Sequence, residues 1–135
     1  AFDKEFPATL SNRIVTGVLR QELGYEGLVF SDDMEMKAIT GNFDAEEAAV
    51  SSVRAGINVL LYCHDITRAA GIVELLCREA RRDTQLRARI NESSARISKL
   101  KMRCLREQRG TPANQLVGQL LALNHSRLID EVYGS

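Results

Sequence analysis

Gly27-Leu-Val-Phe-Ser-Asp32-Asp33-Met-Glu-Met36 is the stretch on which the fold turns. Its first four residues form a short apolar run between turn residues, the pattern of a strand buried on both faces in a parallel sheet. Two carboxylates follow at once. A second apolar run, Val59-Leu-Leu-Tyr62, is followed by Cys63-His64-Asp65 in the same manner. The segments between and around these runs have helical spacing. In 12–23, Ile14, Val15, Val18 and Leu19 recur on one side, with Ser11 placed to cap the start and Gly24 to supply a left-handed stop. Asp44 opens a second helix with Glu47 three residues on, a capping-box spacing, and Gly56 closes it. A third carries Ile72, Val73, Leu75, Leu76 and Ala80. Strands alternating with helices predict an α/β fold with a parallel sheet and crossover connections. Two strands alone cannot make a stable two-sided sheet, so other elements must flank them.

Further along, 86–106 reads as a long helix with Ile90, Ser94, Ile97, Leu100 and Cys104 on one side and Arg89, Glu92, Arg96, Lys99 and Arg103 on the other. The charged side is a solvated face. Gly110-Thr-Pro112 is a break, and 109–135 is expected to be a helical tail docking on a body that spans 1–108.

The 135 residues suffice for one modest domain with a core. Lys plus Arg and Asp plus Glu both number 18, a formal net charge of zero. That balance gives no electrostatic case for nucleic acid or an anionic membrane surface. The absence of tryptophan removes the best base-stacking residue. No apolar run approaches the roughly 20 residues that span a bilayer. Cys63, Cys77 and Cys104 form no C-x-x-C pair and have apolar neighbours, so they read as small buried hydrophobes in an intracellular protein. The opening residues do not form a basic-then-apolar leader, and a cytoplasmic location is expected.

Chemistry concentrates at Asp32 and Asp33. In parallel α/β folds ligands bind at the carboxyl ends of strands, because the strand fixes the backbone while the following loop stays open. Three roles compete there: Asp32 as a nucleophile, the acidic pair as a divalent-metal site, or one carboxylate capping the turn and the other solvated. On composition alone the capping role is favoured, since Asp is common at loop starts. A receiver-like phosphoacceptor would need a third strand-end aspartate and a lysine, and neither is evident. Glycine-rich phosphate loops, metal-ligand spacings and a serine nucleophile elbow are all missing.

Pro7-Ala-Thr-Leu-Ser11, Glu22-Leu-Gly-Tyr-Glu-Gly27, Ser31-Asp-Asp-Met-Glu-Met-Lys-Ala-Ile39, Ala55-Gly56, Cys63-His-Asp65 and Ile90-x-x-Ser93 together resemble the late-barrel region of family-three glycoside hydrolases of the β-N-acetylhexosaminidase kind. The resemblance covers about the first three quarters of the chain. It implies the last two β/α units of a (β/α)8 barrel, with Asp32 as the nucleophile of a retaining glycosidase. It also implies a carbohydrate substrate ending in N-acetylhexosamine, no cofactor and no metal, and a setting in peptidoglycan recycling. Asp33 is given no catalytic role and is expected to point away from Asp32, toward the turn or a basic partner. Met34 and Met36 are expected to pack under the loop.

Relatives of this kind carry a Lys-His-Phe-Pro-Gly-His-Gly segment whose second histidine is the acid/base. That segment does not occur in this sequence. A (β/α)8 barrel takes roughly 200–250 residues, more than this chain holds. The isolated chain is therefore expected to be inactive, or else to serve as a noncatalytic module that self-associates through exposed barrel edges. His64 beside Asp65 invites an acid/base reading, but Asp65 is a natural cap for the following helix, and the structural role is preferred. His125 reads as surface or packing.

Overall fold

The computed structural model describes residues 3–107. Apart from the last turns of the final helix, its elements lie in the first of two compact units, Ala1–Met102 and Arg103–Ser135. In order they are a short 3-10 turn (Ala8–Leu10), a wide-turned helix (Arg13–Glu22), β1 (Phe30–Asp33), α1 (Lys37–Thr40), α2 (Ala45–Ala55), β2 (Val59–Leu61), α3 (Ile66–Ala80) and α4 (Thr84–Glu107). The strands pair in parallel, as the alternation of strands and helices predicts. The tail expected over 109–135, with His125, lies outside the described residues.

The first helix matches its predicted span but winds more loosely than an α-helix. The Leu23 amide closes it by reaching back five residues to the Val18 carbonyl at 2.9 Å. Branched Ile14, Val15, Thr16 and Val18 crowd a tight turn, and tertiary bonds hold the wider one. Thr16 donates to the Ala55 carbonyl at 2.7 Å. Arg20 donates to the carbonyls of Tyr25 and Gly27 and, at 2.7 Å, to Asn58 Oδ1. Ser11 caps the start as expected, accepting from the Ile14 amide at 3.2 Å, and also donates to Asp3 at 2.6 Å. Gly24 takes φ +67°, the predicted left-handed stop.

β1 runs three residues later than the apolar pattern suggests: Phe30–Asp33, not 27–30. The cause is a set of side chains that satisfy the backbone outside the ladder. Arg20 takes the Gly27 carbonyl, and the Tyr25 hydroxyl takes that of Leu28 at 3.1 Å. Asn58 Oδ1 accepts the Val29 amide at 2.9 Å. The strand is also not buried on both faces. Ser31 is buried toward the helices, whereas Phe30 remains 54% exposed on the other face, because the sheet has only two strands among the described residues.

The remaining boundaries follow local chemistry. Asp44 accepts from the amides of Glu46 and Glu47, and Gly56 closes α2 at φ +111°. Asp65 caps α3 through the Thr67 and Arg68 amides. Asp83 does the same for α4 through Gln85 and Leu86 and also pairs with Arg54 at 2.7 Å. Leu60 of β2 touches three buried groups: Leu10, Met34, Ile39 and Ala48; Val15, Ala55 and Ile57; and Ala49, Ile72 and Leu75. One strand residue thus ties the helices into a common core. Asn58 Nδ2 donates to Ser93 of α4 at 2.9 Å, which explains the serine of the Ile90-x-x-Ser93 motif.

Two packing expectations are corrected. Cys63, Cys77 and Cys104 are all exposed, not buried, since apolar neighbours in sequence point to other faces of a helix or strand. Met34 is buried at 3% exposure, as expected, but Met36, at the N-cap of α1, is exposed at 36%.

Candidate functional site

The carboxyl end of β1 carries a register irregularity. Phe30 pairs with Val59 and Asp33 with Leu61, so three steps on β1 match two on β2. The extra residue would leave a ladder amide without an acceptor. The Leu61 amide instead donates to Ser31 Oγ at 2.8 Å, and the ladder resumes when the Met34 amide reaches the Leu61 carbonyl at 2.9 Å. Bulges of this kind re-aim side chains. The physical role of the serine before Asp32 is to satisfy the bulge.

Asp32 and Asp33 consequently diverge. Asp32 is exposed, and its Oδ1 accepts only the next amide, that of Asp33, at 2.8 Å. Among the described residues its other oxygen makes no hydrogen bond. Asp33 turns the other way: Oδ1 accepts the Glu35 amide at 3.0 Å, and Oδ2 lies 3.5 Å from His64 Nδ1. Asp33 thus meets both the turn and a basic group.

A second carboxylate, Glu35, reaches the same corner. Its side chain is only 10% exposed, its Oε2 accepts the His64 amide at 2.7 Å and the Asp65 amide at 3.3 Å, and it lies 3.6 Å from His64 Nδ1. The His64 ring is 77% exposed. Partial desolvation, then the nearby Asp33 charge, push the Cys63 thiol up from its ordinary value. Sequence reading missed Glu35 and its link to His64. The two are 29 positions apart, and only strand pairing joins their loops.

Elsewhere the described residues form an apolar hollow of about 510 Å³, lined by Leu60, Tyr62, Ile72, Leu76, Ile90 and Ile97 among others. Among the described residues the buried Tyr62 hydroxyl has no hydrogen-bond partner, and burial raises its pKa. No helix among the described residues is long and apolar enough to cross a membrane.

Residues 1–100 match the family model described as the glycosyl hydrolase family 3 N terminal domain. The chain is 35% identical over 96 residues to a β-hexosaminidase of Idiomarina loihiensis, covering 71% of this chain and 26% of that protein. It is 32% identical over 101 residues to β-hexosaminidase A of Pseudoalteromonas piscicida, covering 70% and 17%. Among solved structures, a glycoside hydrolase family 3 β-N-acetylglucosaminidase from Paenibacillus sp. str. FPU-7 superposes with a TM-score of 0.70 at 34% identity, covering 81% of this chain and 21% of that one. The chain spans about a quarter or less of the length of these relatives.

Proposed function

The chain belongs to glycosyl hydrolase family 3, and from that premise we propose that it is the nucleophile-bearing part of a retaining glycosidase that removes terminal N-acetylhexosamine, with Asp32 as the attacking group. One observation carries the reading: at the bulged carboxyl end of β1, Asp32 is exposed and one of its oxygens makes no hydrogen bond among the described residues, while Asp33 is engaged by the Glu35 amide and faces His64. An ionised, accessible carboxylate is what such chemistry needs. It attacks the anomeric carbon as the glycosidic oxygen leaves with a proton from an acid. A covalent glycosyl-enzyme forms, and water, deprotonated by the same group, then opens it. We take β1 and β2 as the seventh and eighth strands of a (β/α)8 barrel. The acid/base segment of such enzymes is absent from this sequence, so the isolated chain is expected to turn over no substrate.

The proposed substrate class rests on the named activities of the relatives. The proposed setting is the cytoplasm, in peptidoglycan recycling, with neither nucleic acid nor membrane as a partner; cell fractionation tests the location. For the nucleophile, the decisive experiment is a chimera in which residues 1–100 replace the matching segment of the Idiomarina loihiensis protein. It should hydrolyse a nitrophenyl N-acetyl-β-glucosaminide. Asp32→Gly should abolish that, and azide should restore turnover as the glycosyl azide of inverted configuration. An Asp32→Asn chimera with undiminished rate would overturn the assignment. Hydrolysis by the isolated chain, lost in Asp32→Asn, would overturn the expected inactivity alone.

A second reading is a noncatalytic module that self-associates. It is favoured by Phe30 and Leu61, which are 54% and 38% exposed in a sheet of two strands. Sedimentation of the isolated chain separates the two: a monomer at all concentrations removes the second reading.

A further inference from the structure

We propose that Asp33, Glu35 and His64 form a binding site for one divalent transition-metal ion of the zinc class, clasping the loop after β1 to the loop after β2. The inference is independent of the hydrolase reading. One ligand atom from each residue lies within 4.8 Å of the others. The spacing is more telling than the proximity. His64 Nδ1 stands 3.5 Å from Asp33 Oδ2 and 3.6 Å from Glu35 Oε2, and its ring makes no hydrogen bond to either. With metal–ligand bonds of about 2.0–2.2 Å, two ligands of a tetrahedral ion stand about 3.3–3.6 Å apart. The two separations from His64 Nδ1 therefore match the edges of a tetrahedral shell, and the third donor pair lies within 4.8 Å.

The carboxylates are also held from behind. Asp33 Oδ1 is fixed by the Glu35 amide, which leaves Oδ2 facing the ring. Glu35 Oε2, the oxygen 3.6 Å from the ring, is itself fixed by the amides of His64 and Asp65. Backbone donors of this kind orient ligands before an ion arrives. Two carboxylates and a neutral imidazole offset a dication's charge. An imidazole among oxygen donors suits zinc, cobalt or nickel better than magnesium or calcium, which prefer oxygen alone. The exposed His64 face leaves a coordination position open to water.

The test is calorimetric titration of the chelator-stripped chain with zinc chloride, alongside His64→Ala and Glu35→Gln. His64 is exposed, so its truncation leaves the fold intact, as circular dichroism would confirm. One ion per chain should bind, with each variant weakening affinity by at least about tenfold. Cobalt(II) should give the visible absorption of a low-coordinate site, lost in His64→Ala, and magnesium should not compete. Variant isotherms that superpose on the parent, or no heat above dilution, would overturn the site.

Discussion

The Leu61 amide donates to the hydroxyl of Ser31, not to a main-chain carbonyl, at 2.8 Å across the two strands. This one bond lets β1 carry an extra residue without leaving a donor unmade. It is also the last fixed point before Asp32. Ser31 is buried at 5% exposure. Removal of its hydroxyl should therefore be felt twice, in stability and in the aim of the next side chain.

Ser31→Ala leaves the Leu61 amide with no acceptor in a partly buried setting. The expected loss is about 1–2 kcal/mol. Urea denaturation of the isolated chain measures it. A midpoint equal to the parent's would mean that water or a shifted strand takes over the bond.

Asp32→Asn should do almost nothing to stability. The side chain is exposed, and an amide oxygen can still accept from Asp33. The expected change is within about 0.5 kcal/mol. A loss of several times that in the same urea series would reveal a structural duty for the carboxylate. It would also weaken the case that its position is kept for chemistry.

Gly56→Ala should be costly. The glycine ends α2 at φ +111°, and an added Cβ would stand 3.0 Å from Thr16 Oγ1 and 3.3 Å from Val15 Cγ1. Left-handed strain on a non-glycine residue costs about 1–3 kcal/mol, and the wide-turned helix would have to yield as well. Thermal unfolding monitored by circular dichroism should show a clear drop in Tm. An unchanged Tm would mean that the helix end relaxes to a different geometry.

Glu92 gives the pH dependence a defined sign. Hydrogen bonds from Arg96 at 2.8 Å, and then from Arg89 at 3.2 Å, hold its carboxyl below the ordinary glutamate range, although partial burial works the other way. Arg96 also donates to the Glu26 carbonyl at 2.7 Å, so the pair ties α4 to the loop before β1. A carboxylate with a depressed folded value stabilises fully above its unfolded value. That contribution is lost as pH falls through the folded one. The stability gap between the parent and Glu92→Gln should be largest near neutral pH and close on acidification. A gap that stays constant in acid would exclude the linkage.

The alternation of elements is legible in the linear chain, because each boundary is written locally. Asp44, Asp65 and Ser11 cap by side chains that reach amides two or three residues ahead, and Gly24 and Gly56 supply conformations that other residues resist. The family was equally legible, in short segments whose joint spacing is specific. Tertiary structure alone decided where β1 lies, since Arg20, Tyr25 and Asn58 claim the polar groups of 27–29 from a distance. It decided the exposure of the cysteines, and it decided that Asp33, Glu35 and His64 share a corner. The physical reason is one of range. Capping and turn chemistry act within a few residues, so a linear reading contains them. The bulge and the three-residue cluster arise only when strands some 30 residues apart pair in one register.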